Sequence, residues 1–403
     1  MRSFRTLNSL QKDFVVNILD YIKDTDAQVD ESANVQAALD SLADYGGSLY
    51  IPTGVEAYCA SPITLPANCD IIGDTRATHL AFASNEVSGL VLGASATLIM
   101  EISSSVTNIR ILSKSFRDTT GVADPEPFFS GTGITINSTD VTVDGCSVYG
   151  FITGITSSGP TGRTYLNDMK MDNTSCIILD NSEDTSRLEN IQCWPFAGGF
   201  TDTDKTRAGT AIRLQNNADW TRVTNCFTWG YNIGFHLDDS RSNVQLIGCG
   251  SDYPFLSVVS TGVLIDGDSG TTLIDGFQSE LTSTGINTNI TPSPDNVGST
   301  TIVNCHFGRF SDGVVITAGD AIIKNCVFTG QRDLNEHPLG LNRGIYLPTD
   351  TEYVNASDNI YENMTALVPF ASKALEQAGA PAAGLRLLDR NLFNNVTDQG
   401  DAT

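Results

Sequence analysis

Two carboxylates, Asp252 and Glu280, stand 28 residues apart at matching positions after Cys249 and Phe277. Carboxyls that flank one bond are what glycoside hydrolysis requires. One protonates the leaving oxygen and the other acts as base or nucleophile, about 5–5.5 Å apart for retention and roughly 6.5–9.5 Å for inversion. Glu280 is read as the general acid, its pKa raised by aromatic or carboxylate neighbours, and Asp252 as base or nucleophile. Asp238 and Asp239, adjacent acids beside Arg241, form a reserve pair. Asp and Asn are also ordinary turn residues, so each of these acids has a purely structural alternative. Trp194, Trp229, Tyr231 and Tyr253 lie in longer segments after cysteines, interleaved with Arg309, Arg332, Asp333, Glu336 and His337. Aromatic rings supply area for stacking on pyranose faces, and charged groups hydrogen-bond the hydroxyls. Phe196 and Phe255 are expected to point inward, and Trp194, Trp229 and Tyr253 outward. Proton abstraction α to a uronate carboxylate is the second chemistry, with Arg309, Arg332, Lys324 or His337 as actors. A total of 23 Lys and Arg against a net charge of −24 ranks it below hydrolysis.

The elements that carry these residues repeat. A Gly-apolar-x-apolar segment recurs at Gly133, Gly209, Gly234, Gly262, Gly285, Gly313 and Gly344, the last six spaced by 25, 28, 23, 28 and 31 residues. Between the copies run alternating segments that end in a polar or glycine residue and a cysteine, at Cys146, Cys226, Cys249, Cys305 and Cys326; Phe277 occupies the cysteine slot of one copy. Period-two alternation in short segments at a fixed repeat, punctuated by Gly, Asn and Asp, predicts a parallel β-solenoid. No helical stretches alternate with the strands, which excludes a doubly wound α/β sheet. Rungs about 4.8 Å apart place acids of neighbouring coils within the range that glycoside hydrolysis uses.

Composition sets the outer limits. Hydrophobic residues are 40% and charged residues 17% of 403, enough for a large core. The charge repels phosphate backbones, which argues against nucleic acid; no apolar run is long enough to span a bilayer, and the N-terminus lacks the apolar core of a secretion signal. Nine cysteines without metal-ligand spacing read as buried thiols, so neither metal nor cofactor is expected. Residues 7–22 place Leu7, Leu10, Phe14, Ile18 and Ile22 at helical spacing, predicting an amphipathic helix that packs on a partner or caps the first coil. Residues 368–403 lose the repeat, with a short helical run expected near Ser372–Gln377. The resulting divisions are an N-terminal helical segment, 1–28, a parallel β-helix, 29–365, and a C-terminal cap and tail, 366–403.

Residues 30–74 carry a distinctive opening: Asp30 to Leu39, Gly46-Gly-Ser-Leu-Tyr-Ile-Pro-Thr-Gly54, Ile63-Thr-Leu-Pro66 and Ile71-Ile-Gly-Asp74. A short helix is expected there, capped near Ser32 or Asn34. This resembles the opening of the pectate-lyase-like right-handed β-helix superfamily, bacteriophage tailspikes among them. The resemblance implies an all-β right-handed parallel β-helix that forms a homotrimer on a phage virion. It implies binding, and cleavage by acid/base hydrolysis, of host surface polysaccharide such as capsule or O-antigen. The N-terminal segment resembles one that attaches a tailspike to a tail or adaptor protein. A non-catalytic carbohydrate-binding fibre, and a lyase or epimerase of the same fold, are the alternatives that it leaves open.

Overall fold

In the computed structural model the described residues are 14–79, 86–118, 124–157, 159–196, 206–240, 243–254, 260–291, 298–330, 343–348, 354–362, 375–377, 385–387 and 391–394. The chain divides into two compact units, residues 1–207 and 208–403. Each is built from coils of a right-handed parallel β-helix, in which every strand pairs in parallel with its counterparts on adjacent coils.

The second unit shows the coil plainly. One coil consists of Thr261–Gly267, Thr272–Asp275 and Gln278–Glu280, and the next of Thr284–Ile290, Ser299–Val303 and His306–Gly308. The first strand begins with the Gly-apolar motif, the second is the alternating segment, and the third follows the cysteine slot. The residue before that slot is left-handed: Asn225, Gly248, Gly276, Asn304 and Asn325 have φ between 53 and 67°. Asn and Gly tolerate this conformation best, which explains the polar or glycine residue preceding each cysteine. The sharp corner turns the next side chain inward, so Cys226, Cys249, Phe277, Cys305 and Cys326 stack as a buried column. On the third strands, inward residues change from Thr228, Ser251 and Ser279 to Phe307, Phe328 and Tyr361. The three aromatic rings stack 4.9 and 5.0 Å apart. Where the third strand contributes only small side chains, Phe235 and Phe277 meet edge-on at 6.0 Å to fill the interior.

The first unit repeats this plan from Gly47–Ile51 onward, and a helix, Ser32–Asp40, covers its first coil with buried Val35, Ala38 and Leu39. Its N-terminal cap is Glu31 rather than Ser32 or Asn34, while Asp30 Oδ1 accepts from the Ser32 amide. Glu31 is turned back into the chain, accepting from the amides of Lys23 and Asp24. Arg207 and Asp172 form a fully buried ion pair at 2.8 Å.

Two expectations for the ends are corrected. Over 15–20 the chain is a strand, Val15–Asn17, followed by one 3-10 turn, Ile18–Asp20, not part of an amphipathic helix. Val15–Asn17 pairs with Ser48–Tyr50, supplying hydrogen bonds to backbone groups that a helix would leave exposed on the terminal strand. Ile18 and Ile22 are still buried, whereas Leu7 and Leu10 lie outside the described residues. At the other end Leu375–Gln377 is a strand paired with Ile345–Leu347, not a helix. With Leu385–Leu387 and Leu392–Asn394 it adds a further coil, so parallel pairing extends past residue 365.

Candidate functional site

The third strands of the second unit align their last residues in one ladder. Trp229 is opposite Asp252, Asp252 opposite Glu280, and Glu280 opposite Gly308. Backbone bonds carry the ladder one residue beyond each strand. Tyr253 N–H donates to the Glu280 carbonyl at 3.2 Å, Leu281 N–H to that of Gly308 at 3.2 Å, and Arg309 N–H to that of Thr329 at 3.1 Å. The segments after Cys226, Cys249, Phe277 and Cys305 therefore begin as paired strands, and both carboxylates sit on paired backbone one rung apart.

The two acids differ in environment. Burial pushes the Asp252 carboxyl up to about 6; the Tyr253 amide and Arg309 pull it down, while the Glu280 charge raises it. Its Oδ1 is buried and makes no hydrogen bond among the described residues. Glu280 is instead paired with Arg309, whose Nε donates to Oε1. Glu280 was expected as the general acid; of the two it is Asp252 whose burial favours the protonated form, while Glu280 carries the contact with Arg309.

Gly308 is the residue that sequence reasoning missed. A Cβ there would fall on Glu280 Oε2, so the glycine leaves the space in which the Glu280 carboxylate lies. Its position opposite Glu280 in the repeat is the signal that could have found it.

Trp229 is half-buried beside Asp252 and is the aromatic residue next to the acids in the ladder. Tyr231 and Tyr253, expected at the binding surface, are instead buried at 2% and 1% exposure. The Tyr253 hydroxyl turns back to Asn232 Oδ1 at 3.4 Å, within the chain rather than toward solvent. Trp194 lies in the first unit, half-buried and stacked on Phe196 with centroids 6.3 Å apart. Asp238 pairs with Arg213 on a first strand. Asp239, left-handed at φ 50°, accepts from the Asp268 amide as a corner residue. Adjacent in sequence, the two acids thus make separate contacts, one in an ion pair and the other in a turn. Phe255, Arg241, Arg332, Asp333, Glu336 and His337 lie outside the described residues.

No protein-family model matches the chain, and no curated protein matches its sequence. Solved structures match its fold, that of parallel β-helix proteins. The catalytic unit of a GH87 alpha-1,3-glucanase from Streptomyces thermodiastaticus is similar with TM-score 0.65 at 10% identity, covering 97% of this chain and 69% of that one. A tailspike protein of E. coli bacteriophage HK620, in complex with a pentasaccharide, gives 0.56 at 11%, covering 97% and 69%. The A-module of the Azotobacter vinelandii mannuronan C-5 epimerase AlgE6 gives 0.56 at 14%, covering 96% of each chain. Tailspikes and carbohydrate-active β-helices are the proteins that the opening motif resembled. At these identities the likeness is one of fold.

Proposed function

We propose that the protein binds a polysaccharide along the third-strand ladder and hydrolyses its glycosidic bonds, with Asp252 as general acid and Glu280 as base or nucleophile. The observation that carries this reading is the pairing of two carboxylates, one rung apart, in opposite electrostatic environments. A glycosidic oxygen needs a proton donor that still holds its proton near the working pH, and desolvated Asp252 meets that need. Glu280 has its charge matched by Arg309, as the partner carboxylate requires. A rung separation of about 4.8 Å favours the shorter carboxyl spacing and hence retention. Trp229 offers a stacking face for the sugar on the Asp252 side, with Arg309 as a hydroxyl donor on the other.

The biological setting that we propose is a phage tailspike acting on host capsule or O-antigen as a homotrimer, attached to the tail through its N-terminal segment. The fold shared with a tailspike solved with a pentasaccharide and with a glucanase supports it. Trimerisation would convert weak single-site binding into avidity. Reducing-end release on a panel of capsules and O-antigens, with ultraviolet absorbance for unsaturated uronate read in parallel, tests the reaction. Reducing ends without absorbance are expected from the wild type. Asp252→Asn and Glu280→Gln are each expected to lose about 10²–10⁴-fold in rate while keeping polysaccharide binding. Absorbance together with cleavage would replace hydrolysis by lyase chemistry. Binding without either signal would make the protein an adhesin.

A further inference from the structure

Apart from the third-strand ladder, the first strands of the second unit carry a second cluster. His236 and Asp238 are two residues apart on Tyr231–Asp238 and so share a face. Asp266, on the adjacent Thr261–Gly267, is opposite Asp238. His236 Nε2 lies 2.9 Å from Asp266 Oδ1, and one ligand atom from each of the three side chains lies within 4.8 Å of the others. All three are largely shielded, at 11%, 24% and 29% side-chain exposure for His236, Asp238 and Asp266. The corner beyond is pinned: Ser269 Oγ donates to the Asp266 carbonyl at 2.7 Å, and Asp239 Oδ1 receives the Asp268 amide.

We propose that His236, Asp238 and Asp266 form a binding site for one first-row divalent cation of the Zn²⁺ or Mn²⁺ type. Two carboxylates and a neutral imidazole carry two negative charges, and Arg213, paired with Asp238, offsets only one of them. The imidazole nitrogen selects against Ca²⁺ and Mg²⁺, which take all-oxygen shells. Metal–ligand bonds of about 2.0–2.2 Å put tetrahedral donors roughly 3.3 Å apart. His236 and Asp266 would open by a few tenths of an ångström, and Asp238 would turn to the metal from Arg213. Water completes the shell. Such an ion would tie two successive coils together, as a staple distinct from the paired acids. Sequence spacing hides the site because its third ligand arrives one coil later.

The test uses the full chain without a polyhistidine tag, stripped with chelator and titrated with ZnCl₂ by calorimetry, alongside NMR of the imidazole protons. The expected result is one saturable equivalent and a melting temperature raised by a few degrees. Of the four histidines, one ring should respond, and its signal should be missing in His236→Ala. His236→Ala and Asp266→Asn should each weaken binding at least tenfold, while Arg213→Gln should tighten it by freeing Asp238. Glu280→Gln should bind as the wild type does, which separates this site from the proposed catalytic one. Should His236→Ala fail to fold, Asp266→Asn carries the same decision. No saturable uptake by the wild type, uptake unchanged in Asp266→Asn, or a response from a different histidine would overturn the proposal.

Discussion

Replacing Asp252 by Asn should make the protein more stable at neutral pH while lowering the rate of the proposed hydrolysis about 10²–10⁴-fold. Asn keeps the shape but cannot ionise, so it removes the need to hold a charge at a desolvated position. The gap between a folded-state pKa of about 6 and the ordinary 3.8 corresponds to about 3 kcal/mol. The site is only partly buried, and screening reduces this to about 1–2 kcal/mol. The sign follows from linkage. With the folded pKa raised, the folded state retains its proton where the unfolded chain has lost it, so stability is greatest below 3.8. It falls as pH rises from 3.8 through about 6 and is level above. The advantage of Asp252→Asn over wild type should therefore grow by about 1–2 kcal/mol between pH 3 and pH 8. In thermal unfolding this corresponds to about 2–8 °C for a cooperative unit of some 200 residues. The assay is calorimetry of both proteins at those two pH values, which avoid the isoelectric point near 4.3, where low net charge promotes association. A difference that does not change with pH, or a variant less stable at pH 8 than at pH 3 relative to wild type, would refute the reasoning that burial loads this carboxyl.

Hydrolysis under kcat/KM conditions should decline about tenfold per pH unit above a limb near pH 6, as Asp252 loses the proton that it donates; initial rates from pH 5 to 8 would show it. Gly308→Ala should lower the rate at least tenfold while leaving the fold intact, because the new methyl displaces only the end of the Glu280 side chain; activity and melting temperature measured together test this. All nine cysteines are buried free thiols, so a disulfide reagent should label essentially none in the folded protein and all nine in denaturant. Phe277→Ala should cost about 3–5 kcal/mol, since neighbouring coils cannot close over the lost ring; denaturant titration would reveal a smaller cost if they do.

The repeat was legible because a solenoid is periodic in sequence as well as in space. Each coil buries the same positions against its neighbours, so glycine entries, alternating strands and cysteine corners recur at nearly one interval. The 28-residue step from Asp252 to Glu280 indicated adjacency for the same reason. The ends were less legible: Phe14, Ile18 and Ile22 satisfy helical spacing, yet Val15–Asn17 is recruited by the open edge of Gly47–Ile51. A local pattern cannot express an edge that exists only once the first coil has closed.

Environment, in contrast, was decided by tertiary structure alone. The desolvation of Asp252 and the reach of Arg309 to Glu280 are set by neighbouring coils, and neither is a property of residue type. The burial of Tyr231 and Tyr253 likewise cannot be read from composition. Asp238 and Asp239 are neighbours in sequence but divide between an ion pair and a turn, whereas His236 and Asp266, 30 residues apart, touch. Sequence determined the period, and with it which residues share a rung; folding determined desolvation and charge pairing, which depend on atoms supplied by other coils.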